Sequence, residues 1–157
     1  MGDILDTIVN FLEADNWPFT PVEGQPFIRT AFQGENGQWA CYAQAREDAA
    51  QCAFYSICPV NVPEGRRGAM AEFLTRANYG LIIGNFEMDF QDGEVRYKTS
   101  IDVEGDRLST ALVQQMVYAN VLTMDRYLPG IMTIIYGDAS PAEAIAQVEG
   151  SNPVLHD

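Results

Sequence analysis

Two stretches of alternating apolar and polar residues, 82–90 and 95–103, flank the dipeptide Asp92-Gly93. Such alternation has the period of a half-buried β-strand. An Asp-Gly pair tolerates the positive φ angles of a two-residue type I′ turn. The segment 82–103 therefore predicts one β-hairpin, and it is the best-specified element of the chain.

The predicted two-residue turn also fixes the register of this hairpin. Opposite charges then meet on one face and apolar side chains on the other, in the pairs Asp89–Arg96, Glu87–Lys98, Phe90–Val95 and Met88–Tyr97. Each such pair adds about 0.2–1 kcal/mol. A carboxylate that is ion-paired with a residue on the opposite strand is a poor candidate for a general base. The hairpin is therefore interpreted as a structural scaffold.

The first half of the chain predicts a helix followed by a three-stranded antiparallel meander. Apolar residues at i, i+4, i+7 and i+8 are typical of an amphipathic helix. At the start of the chain these positions are filled by Ile4, Ile8, Phe11 and Leu12, and Asp3 can cap this helix. Strand-like patterns at 26–33, 39–46 and 51–58 are separated by turn residues.

Three further helices are predicted from the spacing of apolar residues. One runs from about Glu64 to Tyr79 and a long one from about Leu108 to Arg126. Pro129 lacks an N–H, so the long helix should break there, and the isoleucines that follow should enter the core: Ile131, Ile134 and Ile135. Ser140-Pro141-Ala142-Glu143 has the pattern of a helix start, and this helix should end near Glu149.

These elements define an α+β fold with an antiparallel sheet of about five strands. Their order is helix, three-strand meander, helix, hairpin, long helix broken at Pro129, and short helix. The length of 157 residues suits one domain over residues 1–149, with 150–157 as a flexible tail. No apolar run reaches the length of a membrane span, and the N-terminus lacks the pattern of a signal peptide, so a cytoplasmic location is expected.

The net charge of −13 bears on the choice of partners. Such a chain is repelled by phosphate backbones, so neither nucleic acid nor an anionic membrane is an expected partner. The acidity serves solubility or attracts a basic partner.

Few residues offer catalytic or metal-binding chemistry. The single histidine is His156, close to the C-terminus, and the three cysteines, Cys41, Cys52 and Cys58, lack the spacing of a zinc site. Buried, reduced thiols are expected. No nucleotide-binding or nucleophile motif occurs, so no catalytic residue, cofactor or metal is predicted. Asn120 either faces solvent or hydrogen-bonds within the core.

Four segments resemble the YbjN domain family, in the version found in photosynthetic bacteria. They are Ala77–Leu81, Gly84–Asp89, Asp92–Lys98 and Met124–Met132. The order of elements is also similar to that of type III secretion chaperones. The resemblance implies a bacterial regulatory or stress-related protein with a secretion-chaperone-like fold, and it supplies no catalytic residues.

The leading hypothesis is a non-enzymatic protein-binding or chaperone-like regulatory module, which presents a sheet edge or apolar groove to a protein partner. A symmetric homodimer is a further expectation. The alternative is a small-molecule sensor with a pocket between helices and sheet. The candidate partner or ligand contacts are Met70, Phe73, Leu74, Tyr79, Tyr118 and Tyr127.

Overall fold

The structure is a computed structural model that describes residues 2–150. Within this range the strands form one antiparallel sheet of order β1-β2-β3-β4-β6-β5. The strands are β1 (Phe19–Pro21), β2 (Phe27–Gln33), β3 (Gln38–Arg46), β4 (Gln51–Ile57), β5 (Asn85–Met88) and β6 (Val95–Asp102). The α+β class and the meander are confirmed. The additional strand, β1, is short and contains a proline, so alternation does not reveal it.

The helices are α1 (Asp3–Ala14), α2 (Arg67–Asn78), α3 (Thr110–Tyr136) and α4 (Pro141–Gly150). The helices cover one face of the sheet, where alternate side chains such as Cys41, Phe54 and Tyr97 are fully buried. The opposite face, called the open face below, remains accessible to solvent. Antiparallel sheets commonly have this division between a packed and a solvated face.

The start of α1 depends on a distant residue. Asp3 does not cap the helix; it is the first helical residue, after Gly2. The carboxylate of Glu47, in the 3-10 turn between β3 and β4, accepts hydrogen bonds from the backbone N–H groups of Ile4 (3.1 Å) and Leu5 (3.0 Å). These N–H groups lack partners within the helix, so Glu47 fulfils the role predicted for Asp3.

The hairpin forms, but the predicted register is wrong by two positions. Glu87 lies opposite Arg96 and Met88 lies opposite Val95. A shift of two residues keeps every side chain on its predicted face. Glu87 now contacts both Arg96 and Lys98 at 2.8 Å, so the prediction of opposite charges on one face holds with different partners.

The register differs because the connecting loop is longer than two residues. Asp89 and Glu94 still pair through their backbones, and the Gly93 N–H donates to the carbonyl of Asp89 at 2.7 Å. The carboxylates of Asp89 and Asp92 accept hydrogen bonds from nearby backbone N–H groups rather than from the opposite strand. Within this loop only Gly93 has a positive φ, 78°, whereas a type I′ turn needs two such residues, so the type I′ turn is not formed.

The predicted break at Pro129 is also wrong, because α3 continues through it to Tyr136. Proline deprives the carbonyl of Asp125, four residues earlier, of its helical partner. The side-chain amide of Asn36, in the β2–β3 turn, donates to this carbonyl at 2.9 Å. The helix therefore tolerates the proline because the turn supplies the missing donor. The isoleucines after it are buried as predicted: Ile131, Ile134 and Ile135.

Asn120 lies fully buried where α3 crosses the sheet. Its amide donates to the carbonyls of Phe54 (2.8 Å) and Tyr97 (3.1 Å) and to the hydroxyl of Thr99, while Ser56 donates to its oxygen at 2.6 Å. Of the two alternatives for this residue, the internal one is confirmed. These bonds fix the position of α3 on the sheet.

The last helix begins as predicted. Ser140 and Glu143 form the reciprocal pair of hydrogen bonds typical of a capping box. The predicted tail, 150–157, falls outside the described residues apart from Gly150. Among residues 2–150, no helix has the length and apolarity needed to cross a membrane.

Candidate binding surfaces

The segment Tyr79–Ile83, called the apolar loop here, connects α2 to β5. Its side chains are unusually exposed for their type: Tyr79 at 85%, Ile82 at 88% and Ile83 at 55%. Gly80 within the loop and Gly84 after it have φ angles of 96° and 81°, which favour glycine. Neighbouring large apolar side chains in water are typical of a contact surface for another protein.

Two polar side chains hold the apolar loop in place. The Tyr97 hydroxyl donates to the carbonyl of Ile83. Asn78, at the end of α2, accepts from the N–H of Phe86 (2.7 Å) and donates to its carbonyl (3.1 Å). Burial raises the pKa of Tyr97 to about 12, so its hydroxyl keeps its proton, and can donate, even at a pH where an exposed tyrosine begins to ionise. The exposed side chains are therefore presented from a fixed backbone.

The same bonds of Asn78 close one edge of the sheet. β5 is an edge strand, and its central residue, Phe86, has both backbone polar groups engaged by the asparagine. The other edge strand, β1, is three residues long and ends at Pro21. Short strands, prolines and covered backbone groups are the usual protections against edge pairing. Of the two predicted surfaces, a sheet edge is thus less available than a groove.

A groove of about 1040 Å³ lies between the β2–β3 turn, α3 and α4. Its lining is mixed apolar and polar and includes Phe32, Tyr118, Leu122, Arg126, Pro129 and Val148. This volume suits a small molecule or a peptide side chain.

One wall of the groove is built around the carboxylate of Asp125. It accepts hydrogen bonds from the backbone N–H groups of Glu35 (2.9 Å) and Asn36 (2.8 Å). Gly34 permits this approach, because a Cβ there would lie 2.4 Å from the carboxyl carbon of Asp125. The β2–β3 turn is therefore fastened to α3, and sequence patterns alone give no sign of it because the partners are 89 and 90 residues apart.

The structure does not bring the six predicted contact residues together. Four of them lie in the core, with exposures of 4% or less: Met70, Phe73, Leu74 and Tyr127. Tyr79 belongs to the apolar loop and Tyr118 lines the groove. The groove is therefore lined by Tyr118 without Tyr79 or Tyr127. Whether any of the six contacts a partner stays a prediction.

The potentially reactive groups are placed where their reactivity is low. All three cysteines are free and buried, as predicted. Burial raises the pKa of Cys41 to about 12 and that of Cys52 to about 11, and it also raises that of Cys58. Thiols of this kind are poor nucleophiles. Within residues 2–150, no group of His, Cys, Asp and Glu side chains is arranged to hold a metal ion.

Two solved structures share this architecture. YbjN from E. coli has a TM-score of 0.60 at 14% sequence identity, covering 83% of this chain and 88% of that one. A chain of the ExsC–ExsE complex has a TM-score of 0.54 at 11% identity, covering 80% of this chain and 91% of that one. The protein therefore has the α+β fold found in YbjN and in a chain of the ExsC–ExsE complex.

The family of this chain follows from a sequence match. The sequence model of the YbjN family, described as "Putative bacterial sensory transduction regulator", matches residues 5–132. The chain belongs to the YbjN family. No curated protein matches it. The resemblance to the version from photosynthetic bacteria stays a prediction.

Proposed function

We propose that the protein is a non-enzymatic, chaperone-like regulatory module of the bacterial cytoplasm that binds another protein through the apolar loop. The observation that carries this proposal is the exposure of Tyr79, Ile82 and Ile83 on a backbone held by Asn78 and Tyr97. Binding would remove these side chains from water, and apolar burial contributes about 25 cal/mol per Å² before the costs of association.

The comparisons support a protein partner. The family description is of a regulator of sensory transduction, and one structural neighbour comes from a complex of two proteins, ExsC and ExsE. Regulation through contact with another protein is consistent with residues 2–150, in which the three cysteine thiols are buried and no cluster of side chains is arranged to bind a metal ion.

The partner that binds the apolar loop could also be a second copy of the chain, which would give a symmetric homodimer. A charge of −13 on each subunit opposes it, unless the interface is apolar. Sedimentation equilibrium at micromolar concentration distinguishes this homodimer from a monomer that binds a different protein. A dimer held by the apolar loop should tighten with added salt, since salt screens the repulsion.

Site-specific photo-crosslinking in the native host tests the proposed surface. A benzophenone amino acid replaces Ile82 in one variant and Glu13, an exposed residue of α1, in the control. We expect crosslinks to one defined protein from position 82 and none from position 13. A crosslink to a second copy of the chain would support the dimer. Equal crosslinking from both positions, or none from position 82, would contradict the proposal.

A second candidate function is the sensing of a small molecule, favoured by the groove of about 1040 Å³ beside α3. Native mass spectrometry of protein purified from its own host would show a defined added mass. Leu122→Trp, in the groove wall, should abolish the added mass, whereas Ile82→Ser in the apolar loop should leave it unchanged. A mass equal to the bare chain would count against this candidate.

A further inference from the structure

The open face of the sheet carries an ordered row of four side chains. Arg29, Tyr42, Tyr55 and Lys98 lie directly opposite one another on β2, β3, β4 and β6. We call these four residues the RYYK row. Neighbouring strands are about 4.8 Å apart, so the two cations at the ends of the row are separated by about 14 Å across two tyrosines.

The tyrosines border two adjoining depressions. One, of about 330 Å³, is lined by apolar and aromatic groups that include Phe27, Ala40 and Ile57, together with Arg96 and Glu94. The other, of about 350 Å³, includes Arg46, Lys98 and Asp102. Tyr55 and Gln44 line both depressions. The open face thus offers an apolar recess bordered by charged groups, with Arg29 and Lys98 at the two ends of the row.

The charge of this face differs from that of the whole chain. It carries four of the nine basic residues, which are Arg29, Arg46, Arg96 and Lys98, and four of the 22 acidic residues, which are Glu87, Asp89, Glu94 and Asp102. Two of these acids already have side-chain partners. Glu87 bonds to Arg96 and Lys98, and Asp102 accepts from Gln51 at 3.0 Å.

Arg96 is held in position on this face from two sides. Its guanidinium carbon lies 4.4 Å from the centre of the Tyr55 ring, and its Nε donates to Glu87 at 2.8 Å. A cation stacked on an aromatic ring loses little freedom when it meets an anion. The open face is therefore preorganised for a ligand that combines negative charge with an apolar group.

We propose that the open face binds an extended, acidic segment of the protein partner, with one large apolar residue between two carboxylates. In an extended chain the side chains at i, i+2 and i+4 share a face, and i to i+4 spans about 13 Å. This matches the distance between Arg29 and Lys98, with the central residue over Tyr42 and Tyr55. The inference rests on the proposed function for the existence of a protein partner.

Dye-labelled synthetic peptides test this spacing by fluorescence anisotropy with the intact protein. The first peptide contains Glu-Thr-Phe-Thr-Glu, the second has the same composition with the glutamates adjacent, and the third has lysine for glutamate. We expect binding of the first, several-fold weaker binding of the second and none of the third. Equal affinity for the first two, or preference for the lysine peptide, would overturn the inference.

Matched charge variants separate local contact from long-range attraction. Arg29→Gln removes a cation of the RYYK row, and Arg107→Gln removes an equally charged exposed residue in the connection between β6 and α3. We expect Arg29→Gln to weaken binding of the first peptide about two- to fivefold, as for one exposed ion pair, and Arg107→Gln to leave it unchanged. Equal effects of the two variants would overturn the inference.

Crosslinking separates this inference from the proposed function. The benzophenone amino acid is placed at Ala31, an exposed neighbour of Arg29 on the open face, and compared with position 82. Crosslinks to the same protein from both positions support both proposals. Crosslinks from position 82 alone would overturn the inference and leave the proposed function intact. Their absence from both positions would overturn both.

Discussion

Asn36 donates its side-chain amide to the backbone carbonyl of Asp125, the carbonyl that Pro129 leaves without a helical partner. A proline inside a helix normally costs about 3 kcal/mol or more, from the lost bond and from a clash with the preceding turn. Here a residue 89 positions away supplies the missing donor. The turn and the proline therefore act as one unit, and they should be tested together.

Asn36→Ala should destabilise the protein by about 1–3 kcal/mol, because it leaves a partly buried carbonyl without a partner. In a Pro129→Ala background the helix regains its own N–H donor, and the cost of Asn36→Ala should fall. Urea unfolding of the four proteins in this cycle measures the coupling. Additive effects of the two substitutions would show that Asn36 and Pro129 are independent.

Gly93→Ala should lower the melting temperature for two reasons. Its φ is 78°, and an added Cβ would lie 2.1 Å from the carbonyl oxygen of Val62. Gly105→Ala is the matched control, because its φ is 79° with no neighbouring atom within 4 Å. Positive φ alone costs about 1–2 kcal/mol, so Gly93→Ala should cost clearly more than Gly105→Ala. Equal melting temperatures for the two variants would contradict the close contact with Val62.

Glu87→Gln should reduce stability at neutral pH by about 0.2–1 kcal/mol, the range for exposed ion pairs. Burial raises the pKa of Glu87, but hydrogen bonds from Lys98 and Arg96 together bring it below its usual value. A carboxyl whose pKa is lowered by folding stabilises the native state above its unfolded pKa, and this stabilisation is lost as the pH falls through the folded pKa.

The difference in stability between wild type and Glu87→Gln should therefore vanish in acid. Chemical unfolding of both proteins from neutral to acidic pH measures it. Glu72→Gln is a control for a more exposed pair, since Glu72 contacts Arg76 within one helix and about half of each side chain, 51% and 49%, is exposed. A difference that grows as the pH falls would have the wrong sign for this account.

The three cysteines should resist a thiol reagent in the folded state. Their pKa values are raised by burial, to about 12 for Cys41 and about 11 for Cys52, so almost no thiolate is present at neutral pH. We expect no reaction with Ellman's reagent within minutes in native buffer, and three thiols per chain in concentrated urea. Rapid reaction of one thiol in native buffer would contradict the described burial.

Asn78→Ala should expose the edge of β5, because it removes both hydrogen bonds to the backbone of Phe86. We expect lower stability by about 1–3 kcal/mol and increased self-association measured by light scattering. Asn85→Ala, also on β5, removes one 3.3 Å bond to the same carbonyl and serves as the control. Unchanged association of Asn78→Ala would show that the edge is protected by other means.

Periodicity was sufficient to predict most of the fold. Alternation located β2, β3, β4 and β6, because their packed faces are more apolar than their open faces. The same reasoning placed Ile82 in a strand, although it lies in an exposed loop. Glycines at positions 80 and 84 were the available indication that the chain turns there.

What could not be predicted depends on contacts between distant residues. The hairpin register depends on whether Asp89 and Asp92 bond to their own loop or across strands, and both options suit the same residues. Asn36 bonds to the carbonyl that Pro129 leaves without a helical partner, and Asn78 bonds to the backbone of the edge strand β5. The RYYK row was not predicted, because its four residues come from four strands whose register is unknown until they pair.

The hydrogen bonds that Ile4 and Leu5 donate to Glu47 also bear on how the chain folds during synthesis. A ribosome releases α1 first, yet the carboxylate that satisfies its first turn is made about 43 residues later. An isolated helix of 12 residues is marginal in water. The N-terminal segment should therefore remain a fluctuating chain until β3 and the 3-10 turn have emerged, and its apolar stripe stays exposed to water during that time.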